Sequence, residues 1–249
     1  MTYGRLRMIA LGLAMVVVVA QAEPARVGFG SHNAPPYAYL LPNQPTIGLI
    51  SDLASLLAES SGRPVTMMAY ARENAAELLE RGDLDLICIT NPAWLSDRQQ
   101  QRFWWSKPLF VERNLLVVNS ASGWLPQQLN ELQGRRIGMV RGYRYPTLEQ
   151  LPVDQQPERI DAASPFDQLL ALSDQQLDGV VVADLQYDHY RRISPGASTL
   201  KLAPIPISSH PVHCAFSREQ PANQQLQQAL DLLIDEGAIA TTVNRYRRY

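Results

Sequence analysis

Apolar and polar positions along the chain alternate between two rhythms. Arg26–Gly30, Val65–Ala69, Leu84–Thr90, Arg136–Val140, Gly179–Ala183 and His213–Ser217 are short runs rich in branched apolar residues, and each predicts a strand. Leu84–Thr90 and Gly179–Ala183 are almost entirely apolar, the pattern of strands covered on both faces by helices. Between them the period lengthens. Leu49, Ile50, Leu53, Leu56 and Leu57 recur at helical spacing and Gly62 supplies a stop. Ala75, Leu78 and Leu79 mark a shorter helix ended by Gly82. Leu125–Leu132 and Asp184–Arg192 are predicted helical, and Ser164-Pro165 places an N-cap and a first-turn proline before the apolar face of Phe166, Leu169, Leu170 and Leu172. Leu200–Ile207 is extended but interrupted by prolines, and two helices close the chain, the first carrying Leu226, Leu230 and Leu233 and the second covering Ala238–Tyr249. There is no internal repeat.

Two strand–helix series joined by one polar stretch, Asn119–Gly123, predict an α/β protein of two lobes. The expected division is residues 23–118 plus 208–249 for a discontinuous first lobe and 119–207 for the second. Each lobe is a mainly parallel sheet flanked by helices, and the two connections form a two-strand hinge. Ligands favour clefts between domains at the carboxyl ends of parallel strands. Function is therefore expected in the loops after Gly30, Thr90, Val140 and Ala183.

Those loops carry binding chemistry. Asn33-Ala34-Pro35-Pro36-Tyr37-Ala38-Tyr39 is stiffened by prolines and offers tyrosine faces and hydroxyls, unless the tyrosines simply cover the core. Arg98 follows Thr90-Asn91, and a guanidinium there is suited to clamp a carboxylate through two parallel hydrogen bonds; its plainer role is an exposed helix-start arginine. Gly142, with Tyr143, Arg144 and Tyr145 beside it, allows close backbone approach to a ligand. Asp184 is placed either to meet an ammonium group or to cap a helix. Asp83 and Asp85 share one strand face, where a turn role outweighs acid–base work. No phosphate loop, nucleophile elbow or HExxH pair occurs, so nothing in the motifs demands an enzyme.

The N-terminus changes the compartment. Arg5 and Arg7 precede the apolar run Met8–Ala20 and the small-x-small triplet Ala20-Gln21-Ala22, the pattern of a cleavable signal peptide over residues 1–22. The run falls short of the ~20 residues that span a bilayer. Export to an oxidising compartment permits a disulfide between Cys88 and Cys214, the alternative being two buried thiols. His210 and His213 flank Pro211, which argues against a helical metal-ligand pair, and no cofactor motif occurs. The net charge of -2, which becomes more negative once Arg5 and Arg7 are removed, gives no footprint for nucleic acid.

In order along the chain, VGFG…APPYAYL, GLISDLASLLAE, ERGDLDLICIT, SDRQQQRFWWSKPLF, LQGRRIGMVRGYRYP, DGVVVADLQY and LDLLIDEGAIATTVNRYRRY resemble the family 3 periplasmic solute-binding proteins. Each motif is loose, but together they cover nearly all of residues 24–249. The resemblance implies a type II periplasmic binding fold that closes on a small polar solute, such as an amino acid or a related carboxylate or amine. It implies a monomer that serves the membrane subunits of an ABC importer. It places Arg98 on the ligand's α-carboxylate, Thr90 or Asn91 beside it, Tyr37 or Tyr39 over the side chain, and Asp184 on the ammonium. Arg144 and Tyr145 fall in the second-lobe loop. The chain departs from the pattern in having Ile50 where an acid is usual, and Pro92 and Trp94 where small hydroxyl residues are common. Trp94, Trp104, Trp105, Tyr143 and Tyr145 are bulky enough to narrow the site. The same resemblance admits two other roles, a cyclohexadienyl dehydratase-like enzyme and a periplasmic sensor without a transport function.

Overall fold

A computed structural model describes residues 23–41 and 44–247; the predicted signal peptide lies outside them. The strands are β1 (Ala25–Phe29), β2 (Val65–Ala69), β3 (Leu86–Thr90), β4 (Phe103–Trp105), β5 (Phe110–Asn119), β6 (Arg136–Val140), β7 (Glu158–Ala162), β8 (Gly179–Ala183) and β9 (Leu200–Ser217). The helices are α1 (Leu49–Ser61), α2 (Ala75–Glu80), α3 (Asp97–Gln100), α4 (Pro146–Glu149), α5 (Pro165–Ser173), α6 (Asp184–Ile193), α7 (Ala222–Asp235) and α8 (Ala238–Arg247). The chain is thus mixed α/β, with strand order β2-β1-β3-β9-β5-β8-β6-β7 and β4 also paired to β9.

The topology has two similar ends. β1 runs parallel to β2 and β3 at one, and β6 runs parallel to β7 and β8 at the other. β9 joins them: its later residues pair antiparallel with β3 and β4, and its earlier ones with β5. The apolar runs are explained by cover on both faces. Leu116, Val118 and Val181 point into one core, while Val117, Val180 and Val182 point into another on the opposite face. At the first end, Leu49, Leu53 and Leu57 of α1 pack on Val27, Leu86 and Phe216, with Leu226 and Leu230 of α7.

Gly62 sits at φ 70° after α1, a left-handed conformation that favours glycine, and its N–H donates to the Ala58 carbonyl. Ser164 caps α5 by accepting from the Phe166 amide, as its sequence predicts. Two expectations change. Residues 125–132 form only a 3-10 turn over Leu129–Leu132 rather than a helix. The Pro-interrupted segment and the strand after it are one continuous strand, β9. Its prolines are tolerated because they lie in the earlier part of β9, which pairs only with β5 and leaves its other edge free, and Pro206 lies beside a register shift at Leu115.

Asp85 is not a turn residue. It is fully buried and accepts from the Arg26 amide at 2.7 Å, Arg26 Nε at 3.0 Å and Asn223 Nδ2 at 3.1 Å. Arg63 stands 3.8 Å away and donates to Asn223 Oδ1. One carboxylate thus ties β1, the entry to β3, the end of α1 and the start of α7. Burial alone would raise its pKa, but the hydrogen bonds from Arg26 and Asn223 hold it below the ordinary carboxylate value.

Cys88 of β3 and Cys214 of β9 form a disulfide. Next to it Ile89 adopts φ 58°, an unusual conformation for a β-branched residue, at a register shift in the β3–β9 pairing. The bulge re-aims Thr90 and Asn91 at the end of β3.

Candidate functional site

The loops beyond β1, β2 and β3 meet those beyond β6, β7 and β8 at one junction. The residues that cross it are few and specific. Ser31 Oγ donates to the Ala163 carbonyl at 3.2 Å, and Gln186 Nε2 donates to the carbonyls of His32 and Ala34 at 3.3 and 3.4 Å. The Tyr39 hydroxyl lies 3.0 Å from His189 Nε2. Trp94 stacks on Tyr143 with ring centroids 6.0 Å apart, and His210 meets the Trp94 ring edge-on at 4.8 Å. On its other side Tyr143 faces His32, which lies 3.1 Å from the Tyr70 hydroxyl. A row of aromatic rings therefore fills the middle of the junction.

Small cavities remain on either side of that row. One of about 160 Å³ is bordered by Asn91, Trp94, Arg144, Thr147, Ser208 and His210. The other, about 170 Å³, is bordered by Ser31, His32, Arg72, Glu73, Arg141 and Ala163. Burial, with a smaller contribution from nearby Arg72, pushes the His32 pKa down to about 3, so its imidazole is neutral at pH 7. Burial also pushes the Tyr143 phenol well above its ordinary value and Tyr70 up to about 12, so both remain protonated hydrogen-bond donors.

The residues singled out from the sequence are not all in this place. Tyr37 is buried, and its hydroxyl donates to Glu112 at 2.7 Å, so it belongs to the core rather than to a ligand-facing surface. Glu112 in turn lies 3.4 Å from His210 across the β5–β9 pair. Tyr39 reaches the junction but is engaged by His189. Thr90 is buried, and Asn91 uses its side chain to accept from the Ala93 amide and to donate to the Pro211 carbonyl.

Arg98 is corrected most. It is exposed on α3, and neither the two small junction cavities nor the larger one of about 400 Å³ between Tyr39 and Asp167 is bordered by it. The reason is local: Ser96 and Gln99 make a reciprocal capping box that starts α3 and leaves Arg98 on its solvent side. Asp184 opens α6 but is held by Arg113 Nε at 3.2 Å, so its carboxylate already has a cationic partner. Tyr145 is buried, and Arg144 is exposed and paired with Glu149 at 2.6 Å. Gly142 takes φ 77°, and a Cβ there would lie 3.4 Å from Arg72 Cγ, so the glycine lets the two loops approach closely. Tyr143 is the predicted residue placed at the centre.

Sequence reasoning passed over Arg72, Arg141 and His32. The available signal was positional, since each follows within three residues of a parallel strand's carboxyl end. Among the described residues no cluster of three or more His, Cys, Asp or Glu is arranged to hold a metal, and no helix is long and apolar enough to cross a membrane.

The chain matches the family model of bacterial extracellular solute-binding proteins, family 3, over residues 26–248, and it belongs to that family. No protein with a curated functional description matches the sequence. Among solved structures it is similar to an ancestral arginine-binding protein bound to arginine, at 18% identity and a TM-score of 0.76, covering 91% of this chain and 99% of that one. It is similar to the arginine-, lysine-, histidine-binding protein ArtJ from Geobacillus stearothermophilus, at 16% identity and a TM-score of 0.72, covering 90% and 95%. A histidine kinase sensor domain with similarity to periplasmic binding proteins shares 19% identity and a TM-score of 0.75, covering 91% and 96%. At such identities the likeness establishes the fold. Family membership is what makes this a solute-binding protein.

Proposed function

We propose that this chain is exported to the periplasm through residues 1–22 and captures a small polar solute, as a monomer, by closing two lobes. The lobes are residues 23–118 plus 208–249 and residues 119–207, and the solute is passed to the membrane subunits of an ABC importer. The observation that carries the reading is that two sets of parallel-strand loops face each other at one junction, while the two ends of the sheet are linked by β5 and β9. Two long strands that bend at their register shifts are suited to a hinge. The junction contacts are hydrogen bonds and ring stacking, with Ala183 and Leu185 adding a small apolar contact to the core of the first end, a mix that favours reversible opening.

The test combines calorimetric titration with small-angle scattering, using amino acids, organic acids and polyamines as probes. Binding of one class with a change in radius of gyration is expected. A protein that takes up no small solute and keeps one radius throughout would overturn the proposal. The self-filled junction favours a second reading as a sensor, in which the partner reads the open or closed state. Solute-dependent stimulation of a reconstituted importer argues for transport, and its absence with closure intact argues for sensing.

A further inference from the structure

We propose that the solute carries a carboxylate held between Arg72 and Arg141, one from each side of the junction. This rests on the capture reading above and adds to it the chemical class of the ligand. Arg72 follows β2, and Arg141 directly follows β6; both border the same cavity of about 170 Å³. At roughly 30 Å³ per water molecule, that volume equals a handful of waters and suits one small polar group.

Three other guanidiniums near the junction are paired with carboxylates. Arg113 pairs with Asp184, Arg144 with Glu149, and Arg159 with Asp161 and Glu149. Among the described residues neither Arg72 nor Arg141 makes an ion pair, although Glu73 borders their cavity. Two unpaired cations brought to one small space by closure repel each other, and an anion between them reverses the sign of that interaction. Closure and anion binding are thereby coupled.

The local geometry prepares Arg72 for this role. Its guanidinium carbon stands 5.4 Å from the centroid of the Tyr143 ring, and Gly142 allows the backbone of the opposite loop to pack against its side chain. The planar fork of arginine matches a carboxylate in two parallel hydrogen bonds, which lysine cannot reproduce. His32, the remaining titratable group on the wall, lies against Tyr70 and adds no charge near neutrality. Glu73 reduces the formal charge of the cavity to a single positive one, enough for one carboxylate group of the solute.

Calorimetric titration with succinate, inorganic phosphate and butane-1,4-diamine tests the assignment in wild type, Arg72→Gln, Arg141→Gln and Glu73→Gln. Succinate is expected to bind the wild type and to lose at least tenfold in affinity in each arginine variant. Glu73→Gln should bind succinate a few-fold more tightly, and Arg72→Lys should recover only part of the loss. Both arginines leave the cores untouched, and circular dichroism with urea unfolding verifies that each variant is folded. The assignment is overturned if succinate fails to bind the wild type, if its affinity is unchanged in both arginine variants, or if phosphate binds more tightly. Should the diamine bind and compact the protein while succinate does neither, the anion assignment falls and the capture reading stands. If no probe from the wider set binds or compacts it, both fall.

Discussion

Acid should destabilise this protein in a way that one histidine makes measurable. His32 has its folded pKa near 3, against about 6.5 in an unfolded chain. Between those values the unfolded state binds a proton that the folded state refuses, so stability falls as pH falls. The slope approaches about 1.4 kcal/mol per pH unit, and from pH 7.5 to pH 4.5 the histidine removes about 2.7 kcal/mol. Carboxylates also titrate in this range, so the wild type alone does not isolate the effect. His32→Gln does: it retains a polar partner for Tyr70 but cannot take up the proton. Urea unfolding followed by tryptophan fluorescence at pH 7.5 and pH 4.5 gives four free energies. The wild type should lose about 2.7 kcal/mol more than the variant between the two pH values. Equal losses would refute the reasoning, because they would mean that His32 is hydrated in the folded state. If the junction opens before the chain unfolds, scattering at pH 4.5 will show an expanded folded protein in the wild type and not in His32→Gln.

Two further outcomes follow from the core. The Cys88–Cys214 bridge spans 126 residues, for which the chain-entropy relation gives about 5 kcal/mol, or a Tm lowered by about 10–20 °C on its removal. Scanning calorimetry of Cys88→Ala/Cys214→Ala beside the reduced wild type checks this, and a drop of under 5 °C in both would exclude the entropic account. Asp85→Asn should cost about 3–5 kcal/mol, because it leaves Arg63 and Arg26 without their buried counter-charge. Chemical denaturation measures it. In the wild type the stability from Asp85 is present above the unfolded carboxylate pKa and is lost as pH falls through its lowered folded value.

The layered α/β order was legible in the sequence because the strands that both faces cover read as unbroken apolar runs. Gly179–Ala183 and Arg136–Val140 are found with their predicted bounds. The strands that escaped have mixed patterns for physical reasons. β5 begins with alternating exposed and buried residues and ends buried on both faces, while β7, with the sequence ERIDA, lies at the sheet edge. β9 hides its continuity behind prolines that only an edge position accommodates. At the site, spacing identified the loops but not the direction of their side chains. Arg98 lies in an identified loop yet faces solvent, because residues 96 and 99 set the start of α3. Asp85 looked like one of two acids at a turn, and its partners lie as far away in sequence as Asn223. Trp94 and Tyr143, singled out for their bulk, do meet.

That meeting bears on how selective such a junction is. On the proposed reading, contacts that form across the junction without solute compete with those that a solute would make. The Trp94–Tyr143 stack contributes about 0.5–1.5 kcal/mol, and each hydrogen bond from Ser31 or Gln186 adds a similar net amount. Every 1.4 kcal/mol by which the self-filled state is preferred over the binding-competent one weakens apparent affinity about tenfold. A solute that only wedges the rings apart therefore gains little. One that also neutralises Arg72 and Arg141 gains an interaction absent from the empty junction, and this difference, rather than total contact area, decides which molecules close it. Replacing Trp94 by alanine should accordingly tighten weak and strong binders by the same factor, about two- to tenfold for a stack of this size, since it removes the competitor without touching the charges.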